Sequence, residues 1–410
     1  MKRKYKKQNA CSTAAFQENA PIVMDNGSGY SKYGFASADK PTSIHRTIVG
    51  IPMAQIHVKA AALGYCMGND VFQVQNLTQK KPIRHGIVVD WDAMERLWHH
   101  IFYNELRVAP DDHPIMLTDA PFSPTTNREK ATEILFEAFG APALHMATTA
   151  LLSLYSCGMT SGLVIGSGAG VSYTCPIQEG YILPHATSRL DISGRSLTNH
   201  LLKLLAECGR TFTYQERRTV RHIKERVSCS SALVYDYRKE LLSEVRNFAM
   251  DYRLPDGEVI TLGRERFRAP EIMFTPSILG YKSPGICGGI FCIQPSRHRS
   301  RAEGMIETET TMATDSLQKV GPMYRPLVLS RVLVCGDTSK LPGFPERIQA
   351  ELRASNPGNN KVKVLAAPHR KISSWVGGSI LTSLKGFQSL WLKKEDYLEK
   401  DACLAHCKFF

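Results

Sequence analysis

Two short glycine-rich turns constrain this chain more than any other feature. "PIVMDNGSGYSKYG", Pro21 to Gly34, reads as a strand, a tight turn and a returning strand, because Asn-Gly supplies the positive backbone dihedrals of a two-residue hairpin. "SGLVIGSGAGVSY", residues 161 to 173, repeats that plan 141 positions later. An offset of about one domain length points to two similarly built halves facing one another, and 410 residues fit two domains of roughly 150 to 200 each. Without side chains in the way, several backbone N–H groups can converge on one anion, and a nearby Ser or Lys adds donors and charge. Gly27, Ser28, Gly29 and Lys32 suit a phosphate in the first hairpin, and Ser167, Gly168 and Gly170 in the second. One such turn is weak evidence; two, each opening a half of the chain, carry more.

Hydrolysis asks for oxygen ligands to a hydrated divalent ion and a polar side chain that orients the attacking water. Asp25 can contact such an ion through its waters. At the matching position of the second hairpin stands Gly166, and Ala169 follows, neither of which offers anything to a cation or a water. The machinery is half-equipped.

Elsewhere strands and helices alternate, which predicts a mixed α/β sheet with covered faces. "HGIVVD" reads as a buried strand and "WDAMERLWHHIFYNEL" as a helix capped by Asp90 or Asp92, with Met94, Leu97, Trp98, Ile101, Phe102 and Leu106 at helical spacing. "HPIMLTDAP" reads as a strand, followed by helices ending at Gly140 and Gly158. The second half continues with a helix stopped at Gly209, the basic helix "YQERRTVRHIKERV", the hairpin "LPDGEVITLG", the strand "RVLVCGD" and the apolar helix "SSWVGGSILTSL". The stretch 287 to 307 lacks a period and reads as a loop or disordered insertion.

With 51 Lys and Arg against 38 Asp and Glu, the net charge of +13 favours anionic partners. The opening "MKRKYKKQ" holds Lys2, Arg3, Lys4, Lys6 and Lys7, a solvated tail or else a nuclear address or anion-binding arm. In the basic helix Arg217, Arg218, Arg221, Lys224 and Arg226 have no interleaved aromatics, so a solvated charged face is favoured over nucleic-acid binding. Eleven scattered cysteines without a C-x-x-C pair fit a reduced interior; Cys403, Cys407 and His406 do not complete a metal set. No apolar run is long enough for a membrane span or a secretory signal, so a soluble intracellular protein is expected. His99, His100 and His113 read as helix-flank packing, and no nucleophile, base and acid trio stands out.

The segments "DNGSGYSKYGFA", "HGIVVDWDAMERLWHHIFYNELRVAPDDHPIMLTDAP", "NREK", "EGYILPHA", "LPDGEVITLG", "WVGGSILTSL" and the closing "KFF" together resemble actin, of a divergent vertebrate type, from about residue 20 to 410. The resemblance implies an α/β, two-lobed fold of the actin, hexokinase and heat-shock-70 type, built of paired ribonuclease-H-like domains with ATP or ADP and Mg or Ca in the cleft between them. On that pattern residues 1–19 form a disordered basic tail. Residues 20–157 plus 373–410 form the first lobe, with a small subdomain at about 46–82. Residues 158–372 form the second, with a small subdomain at about 193–281 and an insertion at about 287–307. It implies phosphate contacts from Ser28, Gly29, Lys32, Ser167, Gly168 and Gly170, and adenosine contacts from Gly194, Arg195, Lys224, Glu225, Gly336 and Lys371.

The departures are concentrated. Actins carry "DSGDG" where this chain has "GSGAG", so both acids that organise the metal and its waters are replaced, by Gly166 and Ala169. The family's water-positioning His is Tyr173 and its water-positioning Gln is Thr149. In the "GGT" turn beside the nucleotide the second glycine is Asp337, which would put a carboxylate near the phosphates or turn it to water, and the neighbouring Tyr is Leu341. The N-terminus is basic where actin's is acidic, the 46–81 segment matches poorly, and the insertion falls near the family's longitudinal contact region.

Two readings follow. The first is a structural or scaffold protein of the cytoskeleton with a degraded, non-hydrolysing nucleotide site, partnered by other cytoskeletal proteins, actin or actin-related subunits among them; divergent members of this kind are associated with male germ cells. The alternative is an ATP-binding subunit that polymerises or joins actin filaments and hydrolyses slowly. Cytoplasm and cytoskeleton are the expected location, with the nucleus or the perinuclear sperm head as the alternative. No membrane span is expected, nucleic acid is disfavoured as a partner, and the basic tail would take an anionic one.

Overall fold

The computed structural model describes residues 19–52, 65–74, 76–213, 216–228, 249–287, 311–356, 362–400 and 402–409. The basic tail with Lys2, Arg3, Lys4, Lys6 and Lys7, and all of the 287–307 insertion after Cys287, lie outside these residues. The chain divides into one unit of Met1–Met159 with Ile372–Phe410 and another of Thr160–Lys371. Both are α/β. No described helix is long and apolar enough to cross a membrane.

The first unit is built on a six-stranded sheet in the order Leu392–Lys393, Ala143–Thr148, Ile115–Asp119, Ile22–Asn26, Tyr30–Phe35, Ser43–Arg46. Ile22–Asn26, Ile115–Asp119 and Ala143–Thr148 run parallel, and both faces of the sheet are covered. Ile22 and Met24 pack with Trp98 and Leu135 on one face, while Val23 packs with Leu152 and Trp375 on the other. The Trp91–His99 helix starts at Asp90, whose carboxylate accepts the Ala93 N–H at 3.0 Å; that hydrogen bond holds the Asp90 carboxyl below its usual value. Its apolar stripe continues through a π-helical stretch, His100–Leu106, to bury Ile101, Phe102 and Leu106. "HGIVVD" is not a buried strand: only Ile87–Val88 pair, antiparallel to Ile83–Arg84, and both are half-buried. The histidines beside it do more than pack, since His100 Nε2 stands 3.3 Å from Glu105 and His113 Nδ1 2.9 Å from the Ala20 carbonyl. A smaller sheet of Val49–Pro52, Cys66–Met67 and Leu77–Lys80 flanks this body.

Near the chain's end, the Ser373–Ser383 helix lies directly on the Thr149–Tyr155 helix. The approach is so close that a Cβ at Gly377 would stand 1.7 Å from the Leu152 carbonyl oxygen. Trp375 is fully buried beside it and donates its indole N–H to the Val23 carbonyl at 2.9 Å.

The second unit has a sheet in the order Tyr181–Ile182, Ser172–Gln178, Gly162–Ser167, Val332–Cys335, Val364–Leu365. Leu163, Ile165, Val332 and Val334 meet Phe344 and Ile348 of the Phe344–Ser355 helix in its core. A separate small core joins the Gly194–Glu207 and Arg217–Val227 helices to the hairpin Met250–Arg253 and Val259–Leu262, through Leu201, Leu204, Val220, Ile223, Tyr252 and Ile260. Inside the larger core, the Arg347 guanidinium is shared by two buried carboxylates, with Nε 2.7 Å from Glu351 and Nη2 3.4 Å from Glu271. One cation cannot neutralise two buried anions, and burial pushes the Glu271 carboxyl up to about 7.

Two outcomes are expected. Gly377→Ala should destabilise the first unit by about 2 kcal/mol or more, because backbone rather than a flexible side chain blocks the methyl; chemical denaturation checks this. Glu271, whose folded value of about 7 lies above its ordinary 4.5, contributes stability below pH 4.5 that fades as the pH rises to 7. Urea midpoints measured across that window should fall with rising pH, and more steeply than those of Glu271→Gln.

Candidate functional site

In the first unit the hairpin register sets Asp25 directly opposite Lys32. Asp25 is buried, and its carboxylate accepts the Lys32 ammonium at 2.7 Å and the Ser374 hydroxyl at 2.9 Å on Oδ2, and the Thr118 hydroxyl at 2.9 Å on Oδ1. Neither Thr118 nor Ser374 was legible as a site residue; each arrives from another element, the Ile115–Asp119 strand and the helix near the chain's end. The turn itself is anchored from outside. Gly27 donates its N–H to the Tyr30 carbonyl at 3.1 Å and accepts from the Thr47 hydroxyl at 2.6 Å, while the Gly29 carbonyl accepts the Thr47 N–H at 3.2 Å. Ser28 is buried and its hydroxyl oxygen accepts the Gly86 N–H at 2.7 Å. Thr149, in the same unit, opens its helix and takes the Ser153 hydroxyl on its carbonyl at 2.7 Å.

The second unit repeats the register. Where the first hairpin pairs Asp25 with Lys32, the second pairs Gly166 with Tyr173. The Tyr173 side chain lies over the glycine: a Cβ built on Gly166 would be 2.2 Å from the ring Cζ and 2.5 Å from the hydroxyl oxygen. The ring is buried, and its hydroxyl reaches to 3.6 Å from the Cys335 sulfur. The two substitutions noted in the sequence are therefore one packing arrangement, with the aromatic face occupying the volume of a side chain at 166.

The loop after Gly166 is held rigidly by its neighbours. Gly168 donates its N–H to Val171 at 3.1 Å, and its carbonyl accepts the Ser193 hydroxyl, the Gly194 N–H at 3.1 Å and the Thr338 hydroxyl at 2.5 Å. The Ala169 carbonyl accepts the Arg195 N–H at 2.8 Å, and the hydroxyls of Ser167 and Ser172 stand 2.9 Å apart. Gly170, in the same loop, is buried. Gly336 has φ 91°, and a Cβ there would fall 2.3 Å from the Ser167 carbonyl oxygen, so this turn admits glycine alone. Lys224 is not part of a solvated face: it is buried on the apolar side of its helix, donates to the Gly194 carbonyl at 2.9 Å, and is pushed down to about 8 by burial. Glu225 beside it is exposed. Asp337 stands 3.9 Å from Lys371, and the charge of Lys224 is favoured by Glu225 first and by Asp337 to a smaller extent. Leu341 is buried in the unit's core.

Each hairpin, taken by itself, offers a divalent ion few protein oxygens. Ca²⁺ takes about six to eight oxygen ligands, and Mg²⁺ about six, several of them waters or substrate phosphates beside one or two carboxylates. Gly166 and Ala169 supply none, Tyr173 fills the space where one would project, and the Asp25 carboxylate already has an ammonium and two hydroxyl donors on it. Phosphate-suited glycine turns remain in each hairpin.

The sequence pattern that defines the family described as Actin matches residues 16–410. The chain belongs to the actin family. Actin-like protein 7B of Rattus norvegicus is 39% identical over 390 residues, covering 94% of this chain and 87% of that protein, and its Mus musculus counterpart gives the same figures. The Gly166–Tyr173 pair of the second hairpin can be tested as a unit. Gly166→Ala should cost about 1–3 kcal/mol by overpacking against the ring, whereas the same change made in a Tyr173→Ala background should cost much less. A double-mutant cycle from urea titrations gives the coupling; additive costs would show that the ring does not fill that space.

Proposed function

We propose that this chain is a structural subunit of a cytoskeletal assembly that keeps the actin fold without hydrolysing ATP. The observation that carries the reading is the ring of Tyr173 lying where a carboxylate at position 166 would project. A carboxylate and a cation there would supply the charge stabilisation and water positioning that phosphoryl transfer requires; a phenol ring packed against Cys335 supplies neither. Ala169 offers no polar side chain, and Thr149 offers a short hydroxyl in place of the carboxamide of the family pattern. The partners that suit such a subunit are other cytoskeletal proteins, including actin-family subunits, in the cytoplasm.

A second reading, an ATP-binding subunit with slow turnover that polymerises or joins filaments, has its own observation. The tight glycine turns persist at Gly27, Gly168 and Gly336, and Lys224 stays buried beside Gly194, a framework that still suits the phosphates and adenosine of a nucleotide. Against it stands Asp337, whose carboxylate lies 3.9 Å from Lys371 and acts on Lys224 less than Glu225 does, so a polyphosphate there would meet a like charge.

Nucleotide content and turnover separate the two. The supernatant of the denatured, purified full-length chain should hold no stoichiometric adenine nucleotide, and the native chain should release phosphate no faster than buffer. Phosphate release should appear when Tyr173→His is combined with Gly166→Asp, Ala169→Asp and Thr149→Gln, because the smaller ring makes room for the acid at 166. Phosphate release by the parent chain, abolished by Asp25→Ala, would overturn the proposal.

A further inference from the structure

We infer that the chain folds and holds its first hairpin without any divalent cation, because Lys32 is the resident counter-ion of Asp25. The inference rests on the reading of the two hairpins given above and adds to it the fate of the buried negative charge. A carboxylate removed from water must be neutralised or fully hydrogen-bonded. Asp25 is 3% exposed, and three donors converge on it from separate elements: the Lys32 ammonium at 2.7 Å, the Thr118 hydroxyl at 2.9 Å and the Ser374 hydroxyl at 2.9 Å. Oδ2 takes two of these and Oδ1 one, so a single lone-pair position is left on the group. The side chain of Lys32 is itself only 13% exposed and lies directly across the strand pair, so its charge is aimed inward rather than lent to solvent.

The second hairpin has no anion to neutralise at the matching position. Gly166 contributes no charge, and the neutral ring of Tyr173 takes up the volume. One hairpin thus carries its own cation and the other has dispensed with the charge. Neither is left needing an ion from solution.

Thermal unfolding of the full-length chain in EDTA, and again with excess Mg²⁺ or Ca²⁺, tests this directly. The melting temperature should be unchanged among the three, whereas an ion bound at about a hundred times its dissociation constant would raise it by several degrees. Lys32→Met leaves the carboxylate without its cation, so that variant should melt lower than the parent and should gain several degrees from Ca²⁺. A Lys32→Met protein indifferent to Ca²⁺ would overturn the assignment of Lys32 as counter-ion. If that variant does not fold, equilibrium dialysis of the parent with radioactive Ca²⁺ decides: no bound ion supports the inference, and one ion per chain overturns it. A parent that melts lower in EDTA yet releases no phosphate would defeat this inference and leave the non-hydrolysing proposal standing.

Discussion

Asp25 is the point on which the first unit is assembled. Burying one carboxylate commits the surrounding chain to supplying its partners, since an unpaired charge in that position would cost several kcal/mol. Those partners come from the returning hairpin strand, the adjacent parallel strand and a helix 349 residues further along the chain. The last of these is drawn to the sheet by Ser374 and Trp375 in succession, one bonding to the Asp25 side chain and the other to the Val23 carbonyl. The same helix can come that near only because Gly377 presents no side chain to the Leu152 carbonyl. Charge satisfaction and backbone packing therefore act on a single turn of helix.

The second unit meets the same geometry without the charge. Its register is identical, offset by 141 residues, yet the cross-strand pair is glycine and tyrosine. Cross-strand neighbours lie close enough that an aromatic residue can cover a glycine opposite it. What the first unit does with ionic hydrogen bonds, the second does with van der Waals contact, and the turn that follows is held by hydroxyl and amide donors from Ser193, Gly194, Arg195 and Thr338.

Much of this was legible beforehand. The two hairpins, the capped helix at Trp91 and the small-residue helix at Ser373 are written in local patterns of turn residues and apolar spacing, but the first turn is not the two-residue Asn-Gly turn that its sequence suggests: Asn26 ends the strand paired with Ser31, the loop is Gly27–Gly29, and neither Asn26 nor Gly27 has a positive φ. What local patterns omit is register: Gly166 and Tyr173 were both noted as departures, but their contact follows only from applying the pairing of Asp25 with Lys32 to the second hairpin. Lys224 misled because its neighbours are charged, while its own position falls on the side of the helix occupied by Val220, Ile223 and Val227. The strand Ala143–Thr148 was hidden by His145, which burial pushes down to about 4, so that it packs edge-on against Phe387, Trp391 and Phe409 as a neutral aromatic. In the Phe344–Ser355 helix, Arg347 and Glu351 occupy core positions that a simple amphipathic pattern assigns to apolar residues.

The ring over Gly166 also gives this chain a direction in sequence space. A side chain introduced at 166 has to displace the end of the buried Tyr173 ring, and trimming Tyr173 alone opens a cavity beside a glycine, so each first step away from this pair costs stability. Only a simultaneous exchange of both residues avoids the intermediate. The pair behaves as a steric latch, in which each residue holds its partner's identity in place.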